Sequence, residues 1–354
     1  MYYSRILLVS LVLGVAVFLG AYALLPHGTA VDDCLERPAP GKCLIEKAHL
    51  IAMTGDIRGA LDYAVRVIAP YNRNVVHFAM HVIGHEAYEH IGNRAAALAL
   101  LPPEASTNEH YLTYEGYQHG LLQFYLAAEK DNTSIDSLIK ESCGEFYVPE
   151  NTQTESFTWR ARRQCFHAVG HALMYAYKND LSQALPPCGR LPYEWMRDRC
   201  AYGVFMELSY LYDPSYSVGN ESPYVVGDNM ALVCEPLTDF KSQCAEFVGR
   251  SYFMSHKNDL KGAFKACAEL SPPFDRTCRI DIAEIVITSS DDFAKLRQGC
   301  SAAGPQYELE CLATVARAVQ RGYAGEAARG KDFCASIESP LREQCKSESQ
   351  KPAQ

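Results

Sequence analysis

"CAEFVGRSYFMSHKNDLKGAFKAC" (residues 244–267) lines up, cysteine on cysteine, with "CFHAVGHALMYAYKNDLSQALPPC" (165–188). Each opens on a cysteine, runs through one helix-length segment, turns at a shared "KNDL" and closes a second segment on another cysteine. "CRIDIAEIVITSSDDFAKLRQGC" (278–300) and "CLATVARAVQRGYAGEAARGKDFC" (311–334) follow the same plan, and "CLIEKAHLIAMTGDIRGALDYA" (43–64) follows it more loosely. Cys234, Cys267, Cys300 and Cys334 recur every 33 or 34 residues, and so do Cys244, Cys278, Cys311 and Cys345. A fixed period of this length, with few alternating strand signals, marks stacked helical hairpins. The expected fold is all-α: an α-solenoid of about seven or eight disulfide-stapled helical hairpins.

The repeat length resembles that of tetratricopeptide or Sel1-like repeats, but their signature residues are absent, so the resemblance extends to architecture alone. The 14 cysteines fall into seven consecutive pairs: 34/43, 143/165, 188/200, 234/244, 267/278, 300/311 and 334/345. Five of the seven pairs are 9 to 11 positions apart and read as local disulfides, which requires an oxidising compartment. The N-terminus supplies a route there. Residues 6–25 form an uncharged apolar run preceded by Arg5, long enough to span a bilayer with the N-terminus inside. Ala21-Tyr22-Ala23 also fits a signal-peptide cleavage site, and both readings export the rest of the chain.

The expected layout is a short cytoplasmic end (1–5), a transmembrane signal-anchor or signal peptide (6–25), a linker (26–33), a helical-repeat domain (34–346) and a disordered tail (347–354). The main domain is then extracytoplasmic, in the periplasm, at the cell surface or in a secretory lumen. A net charge of -9 offers no electrostatic footprint for nucleic acid, and the only membrane partner expected is met through the N-terminal helix.

The two halves of the repeat domain differ in what they carry on the first helix of each hairpin. With the opening cysteine or its equivalent counted as position zero, position two holds His81, His119, His167 and Tyr202. Position six holds His85, Gln123, His171 and Met206, and position seven holds Glu86 and Glu207. A spacing of four puts positions two and six on one helix face, and stacked hairpins bring equivalent positions together. The regular half, about 234–346, carries Glu246/Arg250, Ile280/Glu284 and Ala313/Arg317 at the same places, so the repeat does not require histidine there. Five histidines in register across about 44–233 point to a metal or catalytic site. Gly84, Gly120, Gly170 and Gly203 beside them suit close helix approach.

His81, His85, His119, His167 and His171 are therefore the expected ligands of a divalent transition metal, zinc or iron, with Glu86, Glu207 and Tyr202 as expected catalytic groups. "HEAYEH" (85–90) is one residue too long for the zinc-protease motif, since His85 and His90 do not share a face. Repeat-built di-iron hydroxylases such as deoxyhypusine hydroxylase pair His-Glu dipeptides across helical repeats. The chain is similar at one dipeptide, His85-Glu86. No P-loop, dinucleotide glycine motif or nucleophile elbow occurs. These features support an exported metalloenzyme performing metal-assisted hydrolysis or oxidation on a substrate the sequence does not name. The alternatives are a non-catalytic scaffold for a protein or peptide partner at the membrane surface, and metal handling without turnover.

Overall fold

The computed structural model describes residues 32–37, 40–102, 111–149, 156–212, 222–225, 230–256, 259–288, 293–302, 304–320, 329–338 and 341–349. The 6–25 apolar run and the chain end beyond 349 lie outside the described residues, as do parts of the long segments between Cys143 and Cys165 and after Tyr210. None of the described helices is long and apolar enough to cross a membrane. The described residues form helices and no strand.

The helices that matter here are α1 (Pro40–Met53), α2 (Ile57–Tyr63), α3 (Arg73–Ile91), α4 (Arg94–Leu98), α5 (Tyr111–Glu129), α6 (Ile135–Cys143), α7 (Ser156–Ala176), α8 (Leu181–Gly189) and α9 (Glu194–Tyr210). They continue with α10 (Lys241–Ala245), α11 (Val248–Ser255), α12 (Leu260–Cys267), α13 (Phe274–Thr288), α14 (Phe293–Ala302), α15 (Pro305–Gln320), α16 (Arg329–Ala335) and α17 (Leu341–Ser349). Long helices pack in chain order, α1 on α3, α3 on α5, α5 on α7 and α7 on α9, with the shorter helices behind them.

Three of the described hairpin turns are built the same way. Gly55, Gly92 and Asn179 take positive φ (85°, 65° and 62°), a region that glycine and asparagine tolerate best. The next residue caps the short helix that follows: Asp56, Asn93 and Asp180 accept from the backbone N–H groups of Gly59, Ala96 and Ser182. Ser134 and Asp259 cap α6 and α12 likewise. This local chemistry makes the "KNDL" turn recur.

All seven expected cysteine pairs are disulfides, from Cys34–Cys43 to Cys334–Cys345, and no cysteine is free. Most join the end of one hairpin to the start of the next, where loop closure stabilises by roughly 3 kcal/mol each in the chain-entropy model. Seven intramolecular disulfides fit an oxidising, extracytoplasmic compartment. A continuous apolar core runs between the helices, with Leu44, Ile68, Met80, Tyr117, Phe166, Phe205, Phe247 and Phe264 fully buried.

Candidate metal centre

Glycine sets how closely α3 approaches α5 and α7 approaches α9. A Cβ placed on Gly116 or Gly120 would run into the backbone carbonyls of His77 and His81 on α3. One placed on Gly203 would run into the carbonyl of His167 on α7. Helices in backbone contact put their flanking side chains within a few ångströms of each other, and here those side chains are imidazoles.

The stripe is three turns deep. On α3 it is His77, His81 and His85; on α5, Glu115, His119 and Gln123; on α7, Arg163, His167 and His171. His119 lies in the middle. Its ring centroid is 5.5 Å from that of His77 and 5.3 Å from that of His81 on one side. On the other side it is 5.4 Å from His167 and 5.5 Å from His171. Two groups of three imidazoles can each place one nitrogen per ring within 4.8 Å of the others: His77, His81 and His119, and His119, His167 and His171. Either group could hold a metal ion.

His119 is 1 % exposed and neither of its ring nitrogens has a hydrogen-bond partner. A neutral imidazole has one donor and one acceptor nitrogen. Leaving either unpaired in the interior costs about 1–3 kcal/mol. On α7 the tautomer is fixed. Glu207 of α9 can only accept when ionised, so His171 donates Nδ1–H to its Oε2 at 2.7 Å. The Nε2 of His171 and the Nε2 of His167 share a hydrogen bond at 2.9 Å. Two donors bound to one tetrahedral ion at about 2.0–2.1 Å lie roughly 3.3 Å apart, so this spacing is close to that of fellow ligands. A carboxylate holding the far nitrogen of a ligating histidine is the usual support of such a site.

At His77, His81, His119 and His167 the surroundings favour the neutral imidazole, the form that binds metal. Burial lowers His77 to about 4, helped by the repulsion two imidazolium rings would feel across to His171. Burial also drives His81, His119 and His167 well below the ordinary histidine range, and the other histidines add to it. Glu115 sits one turn before His119, its Oε1 3.6 Å from the His119 Nε2, too far for a hydrogen bond. Burial raises its carboxyl to about 7.

The expected residues divide. His81, His119, His167 and His171 are brought together. His85 is not part of either group: its Nε2 pairs with Gln123 Oε1 at 2.6 Å and its ring leans on Phe124 and Tyr175. Glu86 faces α1, where it meets His49 at 2.9 Å. Its counterpart Glu207 faces α7, so the two position-seven glutamates make one repeated contact, each with the position-six histidine of the preceding long helix. Tyr202 lies against the cluster rather than in it, its ring 5.3 Å from that of His167 and backed by Phe247. From the sequence His77 only flanks the cluster, as an outer or exposed residue, and Glu115 is missed. Both lie four residues before an expected ligand, so extending the stripe by one turn would have found them.

In comparisons with known proteins, no family model, no curated protein and no solved structure matches the chain.

Proposed function

We propose that this chain is an exported helical-repeat metalloenzyme, a solenoid tethered or delivered through residues 6–25, that holds a divalent transition metal between α3, α5 and α7. The observation that carries the reading is His119: buried, unpaired at both ring nitrogens and in ring contact with four other imidazoles. An all-imidazole donor set favours zinc over non-haem iron, whose usual triad includes a carboxylate. Seven disulfides already clamp the hairpins, so the fold does not depend on a structural ion. That supports a catalytic role, with metal-assisted hydrolysis as the reaction class. In this role His119, His167 and His171 are ligands, Glu207 orients His171, and Glu115 stands where it can move a proton next to the ion. Tyr202 helps wall the site.

Metal content decides the matter. The full chain, purified without chelator or reconstituted with zinc, should carry at least one ion per chain by elemental mass spectrometry. His119→Gln should lower that content while His85→Gln keeps it, both variants retaining the parent's helical circular dichroism. A parent chain with no metal after reconstitution would end the metalloenzyme reading and turn the histidines into the polar lining of a groove for a partner.

A further inference from the structure

We infer that the centre is dinuclear, with His119 as a bridging imidazolate between one ion on the α3 side and a second on the α7 side. This rests on the metal-binding reading above and specifies its form.

The argument starts from the nitrogen count. A histidine that ligates one ion uses one nitrogen and needs an acceptor for the N–H of the other; His171 meets that need through Glu207 at 2.7 Å. His119 has no such acceptor at either nitrogen. A single ion would therefore leave one buried N–H of His119 still unpaired. Two ions, one on each nitrogen, satisfy both.

The rest of the cluster is arranged for this. His119 belongs to both three-histidine groups, and each group draws its other two members from one helix at a spacing of four: His77 and His81 from α3, His167 and His171 from α7. A flanking pair thus stands on either side of the middle ring. Metal–nitrogen bonds of about 2.0–2.1 Å on both sides of one imidazole set the ions roughly 6 Å apart. Glu115, 3.6 Å from the His119 Nε2, is at ligand-to-ligand spacing for whichever ion takes that nitrogen. Entry of the second ion forms a metal–nitrogen bond at the ring nitrogen that carried hydrogen, and that proton leaves to solvent.

The test uses the full chain loaded with copper(II), which reports on bridging. Imidazolate couples two copper(II) spins antiferromagnetically, so the parent should bind two equivalents yet show far less low-temperature paramagnetic resonance signal per copper than a mononuclear site. The pairs His77→Gln/His81→Gln and His167→Gln/His171→Gln should each bind one equivalent, with full signal. One equivalent in the parent, unchanged in one of the pair variants, would overturn the bridge and leave a mononuclear metal site standing. Two equivalents with full signal in the parent would also overturn it. No copper and no zinc in the parent would remove the metal site altogether. The parent measurement decides even where a variant does not fold.

Discussion

The two halves of the repeat domain share disulfides and capped turns, yet they fill the same seam with different chemistry. In α3, α5, α7 and α9 the helices are 17 to 21 residues long, and α3 meets α5, and α7 meets α9, backbone to backbone through glycine. In α11 and α12 they are 8 residues long, and Gly249 faces the side chain of Ile282 instead of a backbone. At the register position of His85 and His171, α11 carries Arg250, which donates to Asp281 of α13 at 2.8 Å. One half fills the seam with imidazoles that could hold a metal ion. The other answers it with an internal ion pair. Position six is internally paired in both halves, His85 with Gln123, His171 with Glu207 and Arg250 with Asp281, so the difference lies at position two, where His119 has no hydrogen-bond partner.

The largest effect should come from breaking the ion pair. Asp281 is buried, and burial raises its carboxyl against the pull of Arg250. Arg250→Met leaves that carboxylate unpaired and should cost about 3–5 kcal/mol, while Arg250→Met/Asp281→Leu should recover most of the loss. Denaturant unfolding measures both. The positive charge of Arg250 is felt at His167, so the double variant should hold metal at least as well as the parent. A double variant that folds well but carries no metal would erase the distinction between the halves.

A smaller effect separates the two kinds of glycine. Gly120→Ala pushes a methyl group into the His81 carbonyl and must spread α3 from α5, so a loss of about 1–3 kcal/mol is expected despite alanine's better helix propensity. Gly249→Ala meets Cδ1 and Cγ1 of Ile282 and, less closely, Cys267 Sγ, all side-chain atoms, and should cost less than Gly120→Ala. Metal affinity should fall in the first variant and hold in the second. Equal stability of the two would mean that the close approach of α3 and α5 does not govern the site.

Much of this was legible in the sequence because it is local. Cysteine spacing gave every disulfide, and the shared "KNDL" turn gave the hairpins. Registration from the cysteines brought out His81, His119, His167 and His171. What failed was depth along the seam. Counting from cysteine treats equivalent positions as level, but helices crossing at Gly116 and Gly120 meet nearer the N-terminal end of α3, on His77 and His81. That shift admits His77 and Glu115 and leaves His85 to Gln123. Glu86 shared a register with Glu207, yet its role depended on the preceding helix, which is α1 with His49 in one case and α7 with His171 in the other. Crossing points and neighbours are tertiary facts, invisible to a periodicity.

The smallest predicted effect is a slope. His119 is neutral in the folded chain because burial holds its pKa well below 6.5, whereas in the unfolded chain it titrates near 6.5. Between those values the unfolded state binds the extra proton, so the stability that His119 contributes is complete above pH 6.5 and drains away as pH falls below it. For one such residue the loss between pH 7.5 and pH 6.0 is about 0.8 kcal/mol. Chelator-treated parent and His119→Gln should therefore differ in slope by that amount over this range, whatever their difference in absolute stability. The comparison of slopes isolates proton binding from packing, because a packing defect shifts both pH values equally. Parallel slopes would show that His119 carries a proton, or finds a partner for one, in the metal-free fold, and the contrast between an imidazole seam and an ion-paired seam would lose its central residue.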